Sequence, residues 1–300
     1  MSQPDEEGPE PIRGNSKTPL YEAFHRDRYH RQDLIRSIQQ ASKTTLLCYV
    51  SDPQSSVNRD DPVAMVDLLH NVPEASNIDF LLHTGGGDVD SAEKITKLLW
   101  SKVGTSGSLR VIVPDFAKSA GTLIAIGADA IVMSESSELG PIDPQVVISD
   151  GDGNRLQHSV QNYLDAYEKY KQALTVNPED EHARIMLSKL QPERLVLFEG
   201  VKERAKRLAE KHLQEGMFRR GQSGNFTAIA AELIDTKKWL THGQMIDYND
   251  AQRMGLTVEV RGSADNQWQA LWKLYCLFRL ALAGGEHQKF FESDYASIPL

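Results

Sequence analysis

Two short segments constrain this chain more than any other feature. The first is His83-Thr84-Gly85-Gly86-Gly87-Asp88, and the second is Ala117-Lys118-Ser119-Ala120-Gly121-Thr122. Each begins where an apolar run ends, Ile78-Asp79-Phe80-Leu81-Leu82 for one and Leu109-Arg110-Val111-Ile112-Val113-Pro114 for the other. Each leads into a helical pattern. Two strand-to-helix turns side by side can gather backbone N–H groups about one point. Glycines let the backbone approach closely, and helix starts leave N–H groups free. A serine at the start of the second helix would face that point. A hydroxyl nucleophile beside donors for an oxyanion is what acyl transfer requires.

The pattern around these turns places them on a recognisable scaffold. Ile35, Ile38 and Ala41 recur at helical spacing in a basic, polar stretch, residues 20–42. Thr44 to Val50 reads as a buried strand, and Pro62 opens a helix carrying Val63, Met65, Val66, Leu68 and Leu69. Strands at 78–83 and 109–113 then alternate with helices from Val89 to Trp100 and from the serine turn to Gly127. Ala130 to Met133 is a further short strand. Short, continuous apolar strands alternating with helices predict an α/β fold with a mostly parallel sheet. Active sites in such folds lie at the carboxyl ends of strands, where both turns fall.

Beyond this core the character changes. Residues 157–221 are charged and helical, reading as a helical insertion; Tyr163, Tyr167 and Tyr170 share one helix face, expected to be a packing face. Phe226 to Leu233 reads as a helix, Lys238 to Gly243 as a loop, Asp250 to Leu256 as a helix ending at Gly255, and Thr257 to Val260 as a last strand. Trp268 to Leu282 is an amphipathic helix. The expected division is a polar, disordered tail over 1–19, a domain over 20–262 and a C-terminal helical arm over 263–300.

Composition excludes several classes. The net charge of −9 argues against non-specific nucleic-acid binding, which needs a basic surface. No apolar stretch is long enough to span a membrane, and Met1 to Thr18 lacks an apolar signal-peptide core, so a cytoplasmic protein is expected. The two cysteines, Cys48 and Cys276, read as free thiols in apolar surroundings. No metal-ligand spacing is present, and the glycine turn lacks the spacing of a dinucleotide fingerprint, so no cofactor is expected.

Further residues carry a resemblance. The glycine turn, the Ser-Ala-Gly turn, Gly127-Ala128-Asp129-Ala130-Ile131, Ser137-Glu138-Leu139-Gly140-Pro141-Ile142-Asp143-Pro144-Gln145 and the late Thr241-His242-Gly243 stand in order. Together they resemble the Clp protease/crotonase superfamily, in its signal peptide peptidase-like branch that includes the serine dehydrogenase proteinases. The similarity covers about residues 44–262. It implies a spiral of ββα units with a helical insertion and a C-terminal helix. It implies Ser119 as nucleophile, the N–H groups of Gly86 and Ala120 as the oxyanion hole, and Gly87 as the residue that allows the tight turn. It implies a serine peptidase acting on peptides or proteins, and a homo-oligomer.

The base does not carry over from the resemblance. Clp proteases have a triad histidine in the region of Pro144, whereas the first histidine after Ser119 here is His158. The signal peptide peptidases use a Ser-Lys dyad, and Lys169 and Lys171 fall at that spacing, in a charged helix. A lysine base must be desolvated to be neutral near pH 7. His242 is the other candidate, and a histidine needs no large shift for this work. Lys118 is expected to point away from the site, His83 to be structural or pocket-lining, and Asp143 to stabilise a turn. Two other functions remain open: a crotonase-type enzyme using the same oxyanion hole on an acyl-thioester, and a non-catalytic scaffold or peptide-binding subunit. Serine is also a common helix N-cap, which would explain Ser119 without chemistry.

Overall fold

Hydrophobic runs dictate the strands, and their two faces define two cores. The computed structural model describes residues 18–149, 155–221 and 224–300; the polar tail over residues 1–17 lies outside them. Helices α1 (Pro19–Phe24) and α2 (Arg26–Ser42) lead into β1 (Thr45–Ser51). After α3 (Asp61–Leu68), β2 (Ile78–His83) runs into the glycine turn and α4 (Val89–Val103). Asp88 caps α4 by accepting the Ser91 N–H at 3.0 Å. β3 (Leu109–Ile112) and the short β4 (Phe116–Ala117) lead to Ser119 and α5 (Ala120–Ile126), followed by β5 (Ala130–Met133) and β6 (Glu138–Leu139).

A hairpin of β7 (Gln145–Ser149) and β8 (Arg155–Ser159) opens the insertion, formed by α6 (Val160–Val176), α7 (Glu181–Ser188) and α8 (Pro192–Glu215). The chain returns through α9 (Phe226–Ile234), α10 (Tyr248–Met254) and β9 (Val258–Val260). It closes with α11 (Asn266–Ala283), β10 (Lys289–Glu292) and β11 (Ser297–Pro299). Among the described residues no helix is long and apolar enough to cross a membrane.

The main sheet has seven strands in the order β11-β10-β1-β2-β3-β5-β9. The five from β1 to β9 are parallel, and β10 and β11 are antiparallel. Alternate residues point to opposite faces. Leu47, Tyr49, Phe80, Leu82, Val111 and Ile131 join the core that also contains α3, α4, α5, α8 and α9. Leu46, Cys48, Val50, Leu81, Ile112 and Val132 join the core under α2 and α11. A second strand layer lies beyond the ends of the main sheet: β4 pairs with β6, Thr84 bridges Ala117, and Leu139 bridges Ile246. Each ββα unit therefore adds one long strand and one short one.

The C-terminal segment differs from the helical arm expected over 263–300. Only α11 is helical; residues 289–292 and 297–299 extend the sheet. Two buried ion pairs hold β10, one on each face. Arg31 of α2 forms a bidentate pair with Glu292, at 3.0 and 2.8 Å, and lies against the rings of Phe278 and Phe290. Lys289 Nζ lies 2.7 Å from Asp61 of α3. Removing one partner of such a pair leaves the other charge buried and uncompensated.

The insertion is anchored to the helix that follows Ser119. His212 of α8 is buried, its Nδ1 lies 2.8 Å from the Leu123 carbonyl of α5, and its ring meets Trp100 edge-on at 5.3 Å. Burial pushes this imidazole down to about 4 from its ordinary 6.5. The folded protein therefore holds His212 neutral while the unfolded chain takes up a proton below about pH 6.5. Its contribution is fully present above that pH and is lost as pH falls toward 4, a total of about 3 kcal/mol at ~1.4 kcal/mol per pH unit. His212→Asn keeps a donor for Leu123 and removes the titration. Urea unfolding between pH 4 and 7 is expected to show a shallower loss of stability for the variant than for the wild type.

Candidate active site

The two turns seen in the sequence meet in space. Gly86 has φ +97° and Gly87 φ +143°, conformations that L side chains rarely adopt. A Cβ on Gly86 would lie 2.7 Å from both Ser119 Cβ and the Lys118 carbonyl oxygen, and 3.1 Å from Ala120 N. A Cβ on Gly87 would lie 2.4 Å from the Val57 carbonyl oxygen. The glycines are therefore required by contact as well as by torsion. Backbone bonds align the turns, with Thr84 N donating to Phe116 O at 3.1 Å and Lys118 N to Thr84 O at 3.0 Å. Thr122 Oγ1 donates to Ala117 O at 2.7 Å and accepts the Gly140 N–H at 3.0 Å, which ties the serine turn to the next loop.

Ser119 itself is held at φ +50° and ψ −113°, in the left-handed half of backbone space, although it is not glycine. Such a conformation costs on the order of 1–3 kcal/mol and persists only where its surroundings impose it. Its side chain makes no capping hydrogen bond to α5. The serine thus lacks both the torsion angles and the hydrogen bond of an ordinary N-cap.

Which N–H groups are available follows from strand parity. Val57 N donates to Gly86 O at 2.7 Å, and Asp88 N donates to Val57 O at 2.9 Å. This bridge uses the carbonyl before Gly87 and the amide after it, so the N–H of Gly87 is directed to the opposite side. The Gly86 N–H, by contrast, is donated to Thr84 Oγ1 at 3.2 Å. Among the described residues, no hydrogen bond takes up the N–H of Gly87 or of Ala120, the first residue of α5. The sequence reading placed the donor on Gly86; the structure engages that N–H locally and leaves its neighbour open.

His242 is fixed by an acid. Its Nδ1 lies 2.7 Å from Asp143 Oδ1, and the Asp143 side chain is 4% exposed. Gln145 Nε2 donates to Asp143 Oδ2 at 2.6 Å. Asp143, expected to stabilise a turn, thus orients an imidazole. With Nδ1–H assigned to the carboxylate, the Nε2 lone pair is left for other work. The pair lines a pocket of about 160 Å3 with Gln145, His158, Asn162 and Trp239. The His242 loop is joined to the serine turn by Lys118. Its ammonium pairs with Glu138 at 2.9 Å, donates to Leu139 O at 3.0 Å and lies 3.4 Å from the carbonyls of Gly243 and Gln244. Lys118 is a strut between the two loops. Among the described residues no hydrogen bond joins Ser119 to His242 directly.

The remaining candidates lie elsewhere. Lys171 is exposed on α6, 3.3 Å from Glu168 and with its ammonium 5.4 Å from the Tyr167 ring centroid; Lys169 is exposed and lies by Tyr170. Neither has the dry surroundings that a lysine base requires. Tyr163 packs on Phe198 of α8 and accepts the Gln191 N–H. His83 is fully buried on the sheet face opposite α5, with Nδ1 3.0 Å from Ser51 O and Nε2 3.4 Å from Asp115. It packs against Phe116 and Tyr275, a structural position. Among the described residues no cluster of three or more His, Cys, Asp or Glu side chains could hold a metal ion.

Comparison with known proteins decides the family. Residues 30–220 match the family described as ClpP-like SDH-type serine proteinase. The chain belongs to that family. Two uncharacterized proteins of Methanocaldococcus jannaschii are similar over shorter stretches. MJ0137 is 41% identical over 87 residues, 29% of each chain, and MJ1495 is 31% identical over 117 residues, 39% of each. The chain therefore spans less than half the length of these curated relatives. Among solved structures, two mutants of the 1510-N membrane-bound stomatin-specific protease overlap it. One covers 70% of this chain and 94% of its own at 16% identity and a TM-score of 0.28. The other, in complex with a substrate peptide, covers 83% and 91% at 15% identity and a TM-score of 0.24.

The contact between Gly86 and Ser119 is directly testable. Gly86→Ala is expected to lower stability by about 2 kcal/mol or more, because the torsion and the contact are both unfavourable. It is also expected to displace the serine turn. Thermal unfolding reads the first effect, and fluorophosphonate labelling, lowered by about a hundredfold, reads the second.

Proposed function

We propose that this chain is a serine peptidase in which Ser119 is the nucleophile, His242 the general base, Asp143 its orienting acid, and the N–H groups of Gly87 and Ala120 the oxyanion hole. The observation that carries this reading is Ser119 itself. A non-glycine residue is kept in a left-handed conformation, with no capping role, against a glycine turn with a free N–H. Strain of this kind clusters at active sites, although Lys43 and Ala75 also hold positive φ in this chain. Membership of a serine proteinase family supports the same chemistry.

Ser119 Oγ attacks the peptide carbonyl carbon as its proton passes to His242 Nε2. The carbonyl oxygen becomes an oxyanion that accepts hydrogen bonds from Gly87 and Ala120. The C–N bond then breaks, and the imidazolium gives its proton to the departing amine. Water attacks the resulting ester, again losing its proton to His242, and Ser119 recovers its proton as the acid product leaves. Asp143 stays ionised throughout, holding the imidazole tautomer. Catalytic hydrogen bonds are commonly long in a free enzyme and tighten with substrate, and the mechanism requires His242 Nε2 to reach Ser119 in the bound state. The thioester alternative needs a free carboxylate beside the second turn, whereas Glu138 there is paired with Lys118.

Labelling with a fluorophosphonate probe tests the assignment. Ser119→Ala is expected to abolish labelling. His242→Ala and Asp143→Asn are expected to slow it by about a thousandfold or more. Lys171→Ala, which alters an exposed ion pair, is expected to label like the wild type. Labelling that survives Ser119→Ala, or that needs Lys171 instead of His242, overturns the mechanism.

A further inference from the structure

We propose that Gln145 is a positioning residue for the His242–Asp143 pair, and that it ties the base to the root of the helical insertion. This rests on the assignment of His242 as base. The Asp143 carboxylate is buried and has two oxygens to satisfy. Oδ1 takes the imidazole N–H; Oδ2 takes the Gln145 amide at 2.6 Å. One hydrogen bond leaves a carboxylate free to turn about its last torsion. Two bonds on opposite oxygens fix its plane, and with it the plane of the imidazole. The amide is oriented with nitrogen toward the carboxylate because its own oxygen would repel an acceptor.

The same few residues also carry the insertion. Pro144 accepts the Val160 N–H at 2.9 Å, and Val160 is the first residue of α6. Gln145 is the first residue of β7 and pairs with Ser159, whose hydroxyl caps α6 by accepting the Gln161 N–H at 3.2 Å. The segment 143–145 therefore holds the base at one end and the start of α6 at the other. The start of α6 is thus linked to Asp143 both through the backbone of Pro144 and through the Gln145 amide. The signal was present in the sequence as the glutamine that closes Leu139 to Gln145, but its partner could not be read there.

The experiment measures kinact and KI for fluorophosphonate labelling across pH, for the wild type, Gln145→Leu and Gln145→Glu. The ionisable groups around the pair are His158 of β8 and, behind the Gly243 and Gln244 carbonyls, Lys118 with Glu138. His158→Asn is therefore included as a control and is expected to leave the acid limb in place. Gln145→Leu is expected to lower kinact about tenfold with KI unchanged, since orientation is lost and binding is not. Gln145→Glu puts a second carboxylate beside Asp143, which favours the imidazolium. Its acid limb is expected to move up by about one pH unit. The glutamate variant answers the question by its limb even if the leucine variant does not fold. Wild-type kinact and an unmoved limb in the folded variants overturn the role of Gln145. If labelling needs Ser119 and His242 but not Gln145, only this inference falls. If labelling does not need His242, the assignment of the base falls with it.

Discussion

The carboxylate of Asp61 organises the site from beneath. It is completely buried, and it binds Lys289 Nζ at 2.7 Å, the Tyr49 hydroxyl at 2.8 Å and the Asn58 N–H at 3.0 Å. A buried charge with three partners is confined to one position. It therefore fixes Asn58 and with it Val57, the residue that bridges the glycine turn. Arg59, one residue further, reaches Asp88 at 3.1 Å and Asp90 at 2.8 Å and so ties this strap, residues 57–59, to α4. Arg204 of α8 also pairs with Asp90. The strap is held by the C-terminal strand on one side and by the insertion on the other. Because the strap bonds to Gly86 O and Asp88 N, the Gly87 N–H is left pointing away. The direction of the Gly87 N–H, the proposed oxyanion donor, thus depends on an ion pair made 228 residues apart in the chain.

The parts legible in the sequence are those governed by local rules. Parallel strands buried on both faces read as continuous apolar runs, and β1, β2, β3 and β5 show this plainly. Turn residues that need positive φ read as glycines, so the first turn was visible. The illegible parts depend on partners. β10 carries Lys289 and Glu292, charges that suggest a surface segment until Asp61 and Arg31 neutralise them. Asp143 and His242 stand 99 residues apart, and neither has a local feature that names the other. Which of Gly86 and Gly87 keeps a free N–H is a matter of strand parity, set by Val57 from a loop with no strand pattern of its own.

Ser119 is strained, and the structure around it shows what sustains the strain. All seven residues of α5 are buried, and this short helix packs against α4 and α8. His212, with the Trp100 indole donating to Gly127 O at 2.8 Å, fixes the carbonyl side of that helix. A helix so enclosed cannot rotate to relax its first residue. The hydrogen bonds of Thr122 to Ala117 and Gly140 close the remaining side. The apolar burial of α5 thus offsets the local cost at Ser119, and the insertion contributes to that burial through α8.

The proposed base fits the way this fold disposes its charges. A lysine base needs a dry pocket without a carboxylate, since a nearby anion stabilises the ammonium. The lysine closest to Ser119 in sequence, Lys118, is instead paired with Glu138 and bound to backbone carbonyls, so its charge is used structurally. A histidine base has the opposite requirement: a buried anion at Nδ1 that fixes the tautomer and favours the imidazolium as it forms. Asp143 supplies that anion, and Gln145 satisfies its second oxygen, so the carboxylate need not turn away to find a partner. The proposed roles then fall in the chain order serine, acid, histidine. The acid and the histidine come from different loops, and Lys118, together with the Leu139–Ile246 bridge, joins the second of these loops to the serine turn. In the proposed mechanism the lysine nearest Ser119 in sequence joins the loops, and the joined loop supplies the base.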